Sequence, residues 1–209
     1  MERIKRFDFN DLYLFTQDDY LKTPDIIDEI MTDIYLTHEK LDSYFSYRGA
    51  VTEVNKINSM FFYTEFIDAR LYVLTNKQGK PISMAICSHE DAGENSWHIE
   101  YLCTNKHYAG EGYGEFLLTE VAKDLHNSGA RYMTCIVNKK NIKSLSMIAS
   151  FAKNANVKQF RDDLFGGRCR FEYDLSNVNI EKPGKKDEET LWQNFREFIK
   201  KRGKIRVFC

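Results

Sequence analysis

The stretch IEYLCTNKHYAGEGYGEFLLTEVAKDL, residues 99–125, constrains the fold more than any other part of the chain. An apolar run is followed by Gly110, Gly112 and Gly114 at every second position, and then by Leu117, Val121 and Leu125 four apart. The first part reads as a strand and the last as one face of a helix, with a backbone almost bare of side chains between them. Such a backbone can approach a ligand closely. A helix that opens there presents unpaired N–H groups and the positive end of its dipole, a setting that suits a pyrophosphate. The alternative is a tight strand-to-helix turn that merely needs glycine. Two other phosphate motifs fail on spacing. A dinucleotide fingerprint needs GxGxxG where this chain has GxGxG, and a P-loop needs Lys and Ser or Thr where Glu115 and Phe116 stand.

The surrounding pattern alternates strands and helices. ARLYVLTN and PISMAICSH are strand-like and joined by a short turn with Gly79, so they form a hairpin. SWHIEYLCT is a third strand and EFLLTEVAKDLHNSG a helix that stops at Gly129. RYMTCIVN is again a strand and NIKSLSMIASFAKNAN a helix. VKQFRDDLFGGRCRFEYDLS is a final hairpin in which Phe171, Tyr173 and Leu175 alternate with Arg170, Glu172 and Asp174. Ahead of these lies a helix with Thr23 at its cap, Pro24 in its first turn and Ile26, Ile30 and Ile34 on one face, then a less clearly patterned helix over 51–67. The polar linker NIEKPGKKDEE separates a main domain, residues 1–178, from an appendage over 179–209. That appendage holds an amphipathic helix with Leu191, Phe195 and Phe198 on one side, and a short last strand, KIRVFC. Its apolar face packs either on its own domain or on a second copy in a homodimer.

At 209 residues, 43% hydrophobic and 29% charged, the chain is sized for one sizeable globular domain. A net charge of -1 gives no sign of a surface built for nucleic acid. The five cysteines, Cys87, Cys103, Cys135, Cys169 and Cys209, include no CxxC pair, so no metal site is expected and reduced thiols in the cytoplasm are. No window is apolar enough to span a bilayer, and no membrane association is expected.

The run YLCTNKHYAGEGYGEFLL resembles the acyl-coenzyme A binding motif of the GNAT superfamily of N-acetyltransferases, L-x-V-x-P-x-Y-[RQ]-G-x-G-x-G. Leu102, Tyr108, Gly110, Gly112 and Gly114 fall in register. The following NIKSLSMIASFA is similar to the family's N-x-x-[AS] helix start, with Asn141 and Ser144 matching. The element order is the family's as well. The resemblance covers roughly residues 70–175 well, 1–69 in outline and 180–209 not at all. Three departures stand out: Ala109 at the usual Arg or Gln, Thr104 and Lys106 at the usual Val and Pro, and Ile148 where many members carry a general-acid Tyr, with Ala152 in place of a nearby glycine.

The resemblance implies an α/β (α+β) fold, a mixed, mostly antiparallel sheet flanked by helices. It implies acetyl transfer from acetyl-CoA, as cosubstrate, to a primary amine of a small molecule or protein by direct attack in a ternary complex. Leu102, Cys103, Thr104, Ala109, Gly110, Glu111, Gly112, Tyr113, Gly114, Asn141 and Ser144 are the implied coenzyme-binding residues. Glu100, on the strand before the pantetheine segment, is the candidate base; a solvent-facing strand glutamate is the alternative. With Ile148 in the Tyr position, the thiolate leaves without a dedicated acid or a hydroxyl such as Ser146 substitutes. Cys103 and Cys135 flank the coenzyme and raise a covalent acyl-cysteine, against which stands the commoner role of buried small hydrophobe. His98 and His107 are read as surface or structural. Lys139, Lys140 and Lys143 either meet phosphates or form a solvated turn. Tyr44, Phe45 and Tyr47 either wall the acceptor site or belong to the core. Two rival functions follow: a degenerate module that binds acyl-CoA or a protein partner without turnover, and a dinucleotide-binding oxidoreductase.

Overall fold

The computed structural model describes residues 9–16, 68–90 and 95–178. Among them is a sheet of 7 strands in the order β1-β2-β3-β4-β5-β7-β6. The strands are β1 Phe9–Thr16, β2 Ala69–Asn76, β3 Pro81–Glu90, β4 Ser96–Thr104, β5 Tyr132–Asn138, β6 Lys158–Leu164 and β7 Arg168–Asp174. Helix α1, Tyr113–Asn127, connects β4 to β5, and α2, Ile142–Asn154, connects β5 to β6. Every neighbouring pair is antiparallel except β4 and β5, which run parallel because α1 carries the chain back across the sheet.

The core lies between the sheet and the two helices. Leu117, Leu118, Val121, Ala122 and Leu125 of α1 are buried against Tyr72, Ala85, Cys87, Trp97 and Ile99. Each fully buried leucine contributes about 1.5–3 kcal/mol. On α2, Ile148 and Phe151 point inward, and the Phe151 ring meets Tyr173 edge-on at 5.1 Å between centroids. A polar cluster lies at the edge of this core. The Tyr72 hydroxyl donates to Asp124 Oδ2 at 2.7 Å, and Arg70 donates to the same oxygen at 3.0 Å while lying 4.4 Å over the Trp97 ring. Tyr72→Phe removes that donor, but Arg70 still serves Asp124, so the loss expected in urea denaturation is about 1 kcal/mol.

The strands and helices expected from residue 69 to 176 are all present. β1 was not anticipated. FNDLYLFT offers no clean alternation, and its pairing with β2 carries a register shift between Phe9 and Asp11. The two helices expected before residue 68, the aromatic group Tyr44, Phe45 and Tyr47, the linker and the C-terminal appendage lie outside the described residues. Among the described residues no helix is long and apolar enough to cross a membrane.

Two irregularities in β4 shape the functional end of the sheet. Its parallel register with β5 covers only Ser96 to Ile99 against Tyr132 to Cys135, so the strands part beyond Ile99. Its register with β3 jumps from Ile86↔Tyr101 to Cys87↔Ile99, leaving Glu100 as the extra residue of a β-bulge. A bulge bends its strand and increases local twist, which accounts for β4 turning away from β5 at this point.

Candidate active site

The wedge between the parted ends of β4 and β5 is lined on one side by backbone. Asn105 N–H donates to the Ile82 carbonyl at 2.8 Å, so Asn105, Cys103 and Tyr101 direct their main-chain polar groups toward β3. Leu102 and Thr104, in the opposite phase, direct theirs toward the β5 side, where β5 no longer runs alongside. An extended amide-bearing ligand laid there can pair with them as a strand would. The strand end is held firmly: the buried Ser83 hydroxyl lies 2.8 Å from the Cys103 carbonyl, to which it donates, and 2.9 Å from Thr104 Oγ1.

The glycine turn closes the wedge. Lys106–Tyr108 form a 3-10 turn whose cap is Asn105, its side chain accepting from His107 N–H at 3.0 Å. The Tyr108 ring packs edge-on to Tyr113 at 5.8 Å, and its hydroxyl accepts from Asn76 Nδ2 at 3.0 Å, tying the turn to β2. Gly110 and Gly112 have φ of 84° and 94°, the left-handed region that L side chains rarely adopt. Gly112 is the N-cap of α1 and supplies no side-chain cap, so the opening turn of that helix presents its N–H groups and dipole to whatever lies in front. Gly114 does a different job. A Cβ there would stand 3.2 Å from both Thr104 Oγ1 and Met147 Sδ, so this glycine lets α1 seat against β4 and α2. Exposed Ala109 and Glu111 sit in the same turn. Glu115 is drawn aside, its carboxylate accepting from Asn154 Nδ2 at 2.6 Å. The residues fit an acyl-coenzyme: backbone edge for the pantetheine, glycine-opened helix for the phosphates.

Asn141 serves as the N-cap of α2, its side chain accepting from Ser144 N–H at 3.3 Å, which places both at the start of that helix. Ile148 is 2% exposed in the core, and Ser146 stands exposed on α2. Glu100 projects from the bulge, half-buried, with its Oε1 accepting from Ser88 Oγ at 2.7 Å. His98 Nδ1 lies 2.7 Å from the buried Thr134 hydroxyl, in agreement with a structural role, and His107 is exposed. Lys139 turns to the last hairpin, its Nζ 2.8 Å from Asp163, and this donor is the largest influence holding the Asp163 carboxyl down to about 2. Among the described residues no cluster of His, Cys, Asp or Glu can hold a metal ion.

The two cysteines flanking the wedge are poor nucleophiles. Burial pushes the Cys103 thiol up to about 12 and the Cys135 thiol up to about 11, so almost no thiolate exists near neutral pH. Both are expected to resist iodoacetamide at pH 8 in the folded chain and to react once it is unfolded in urea. Rapid native labelling of Cys103 or Cys135, followed by peptide mass spectrometry, contradicts this.

Sequence reasoning missed the bulge, the Ser88 contact and the Ser83 clamp. The bulge had a signal: the inward residues Trp97, Ile99 and Leu102 are spaced by two and then by three, a break in strand alternation. The serine contacts had none.

A family model described as the acetyltransferase (GNAT) family matches residues 34–152. The ribosomal-protein-S18-alanine N-acetyltransferase from Escherichia coli superposes with a TM-score of 0.52 at 13% identity, covering 84% of this chain and 100% of that one. The GNAT domain of S. lividans PAT gives 0.56 at 18% identity over 78% and 89% of the two chains. A spermidine N-acetyltransferase chimera from Vibrio cholerae and hSSAT gives 0.52 at 12% identity over 80% and 97%. At these identities the structural likenesses speak for the fold. No curated protein matches the sequence.

Proposed function

Since the chain belongs to the GNAT acetyltransferase family, we propose that it moves an acetyl group from acetyl-CoA to a primary amine by direct attack in a ternary complex. The observation that carries this reading is the wedge itself, in which the main-chain edge of Leu102 and Thr104 leads to the uncapped, glycine-opened start of α1. Leu102 and Thr104 pair with the pantetheine arm. The N–H groups over Gly110 to Gly114 meet the pyrophosphate, with Ala109, Glu111 and Tyr113 contributing backbone, and Cys103 forms the wall behind. Asn141 and Ser144 border the site from α2.

An amine attacks only when unprotonated, and Glu100 is the group that takes its proton, directly or through water. A main-chain N–H of β4 is available to the oxygen of the thioester carbonyl as charge develops on it. The thiolate, with a pKa of about 8.5, departs without a dedicated acid, since Ile148 offers none. Solved relatives named for a ribosomal-protein alanine and for spermidine span protein and small-molecule amines, and the acceptor here belongs to that range.

The test is incubation with acetyl-CoA and a panel of peptide N-termini, lysine peptides, polyamines and amino acids, following free thiol and product mass. Thiol release that depends on one amine class, with matching N-acetyl product, supports the reading. Coenzyme binding with no turnover on any of them goes against it.

A further inference from the structure

Glu100 and Tyr101 are consecutive residues that both leave the face of β4 packed on α1. The bulge causes this: Ile99 and Leu102 face the core, paired with Cys87 and Ala85, while Tyr101 pairs with Ile86, outside that core. Glu100 thus shares a face with Ser88 and His98, which are register partners, and with Thr134 and Glu172, which follow in the same row across β5 and β7. Within this row Ser88 is 1% exposed and donates its hydroxyl to Glu100 Oε1 at 2.7 Å. A buried serine in a strand has an apolar alternative of nearly equal size, alanine. Placing a hydroxyl there has a cost unless the hydroxyl has a partner. Its partner here is one oxygen of the proposed base.

We propose that Ser88 is the positioning residue of Glu100: its buried hydroxyl fixes one carboxylate oxygen and leaves the other turned to the acceptor amine. This inference rests on the reading of Glu100 as the base. A single fixed donor selects one orientation of a side chain that would otherwise sample several rotamers. Among the described residues, the titratable groups on this face of the sheet are His98 and Tyr101 on β4 and Glu172 two strands away in the row, while Cys87 and His89 of β3 lie on the opposite face. Cys87 is buried on that opposite face, where burial drives its thiol well above the ordinary range.

The test is steady-state kinetics of the full chain on the best amine of the panel, comparing Ser88→Ala, Ser88→Thr, Glu100→Gln and the double variant Ser88→Ala/Glu100→Gln. Ser88→Ala is expected to lower kcat about ten-fold, the effect of one lost hydrogen bond to a charged group. Ser88→Thr, which keeps the hydroxyl, is expected to restore it. KM for acetyl-CoA should stay constant, and the double variant should be no slower than Glu100→Gln alone, because without the carboxylate Ser88 has nothing to position. Ser88→Ala only shortens a side chain, and a melting curve checks that it folds. An unchanged kcat in Ser88→Ala, beside a Glu100→Gln slowed about 100-fold, overturns the role of Ser88 alone. Undiminished transfer by Glu100→Gln removes the base itself, and the role proposed for Ser88 goes with it.

Discussion

Gly112→Glu is expected to lose acetyl-CoA affinity by at least about 100-fold in calorimetric titration, which is roughly 2.7 kcal/mol. The substitution does two separable things. It puts an L side chain at φ 94°, which costs about 1–2 kcal/mol of folding stability. It also puts a carboxylate at the N-cap of α1, where the helix dipole returns about 0.3–1 kcal/mol of that stability. The fold should therefore survive with a modest fall in melting temperature. Binding should not, because the carboxylate takes the N–H groups that the pyrophosphate needs and repels it at a few ångströms, by about 4 kcal/mol per charge pair at 4 Å in a partly screened site. Gly112→Ala carries the strain without the charge. It should keep much more of the affinity, and equal losses in the two variants would show that the turn acts through its shape alone.

Glu100→Gln is expected to lower kcat by about 100-fold at neutral pH, at the low end for a positioned base, while leaving acetyl-CoA affinity unchanged. Gln keeps the size and one acceptor oxygen for Ser88 Oγ, so the bulge and its hydrogen bond at 2.7 Å have no reason to rearrange. The loss should shrink as pH rises, because an amine that is already unprotonated in solution needs no base. A variant that is equally slow at pH 9.5 and pH 7 would point to a lost contact with the acceptor in place of a lost proton acceptor.

Much of the fold was legible because its signals are local. The alternation of Phe171, Tyr173 and Leu175, the four-residue spacing of Leu117, Val121 and Leu125, and the glycines at the mouth of α1 each report their own segment. The wedge has no local signal, since nothing in SWHIEYLCT or RYMTCIVN says that the two strands run parallel for four residues and then part. Gly114 shows the limit of reading a motif as one unit. It stands in line with Gly110 and Gly112, yet it answers to Thr104 and Met147 and not to a left-handed backbone. Ser88 shows another limit. It and Glu100 are twelve residues apart, and their contact exists only because the hairpin register and the bulge bring them to one face. Long-range contacts of this kind leave no mark on either local sequence.

The most direct test is calorimetric titration of the unaltered chain with acetyl-CoA and, separately, with NAD. Saturable binding of one acetyl-CoA per chain, with no heat from NAD, is the predicted result. Absence of acetyl-CoA binding would mean that the glycine turn only joins a strand to a helix, and the proposed acyl transfer would fall with it.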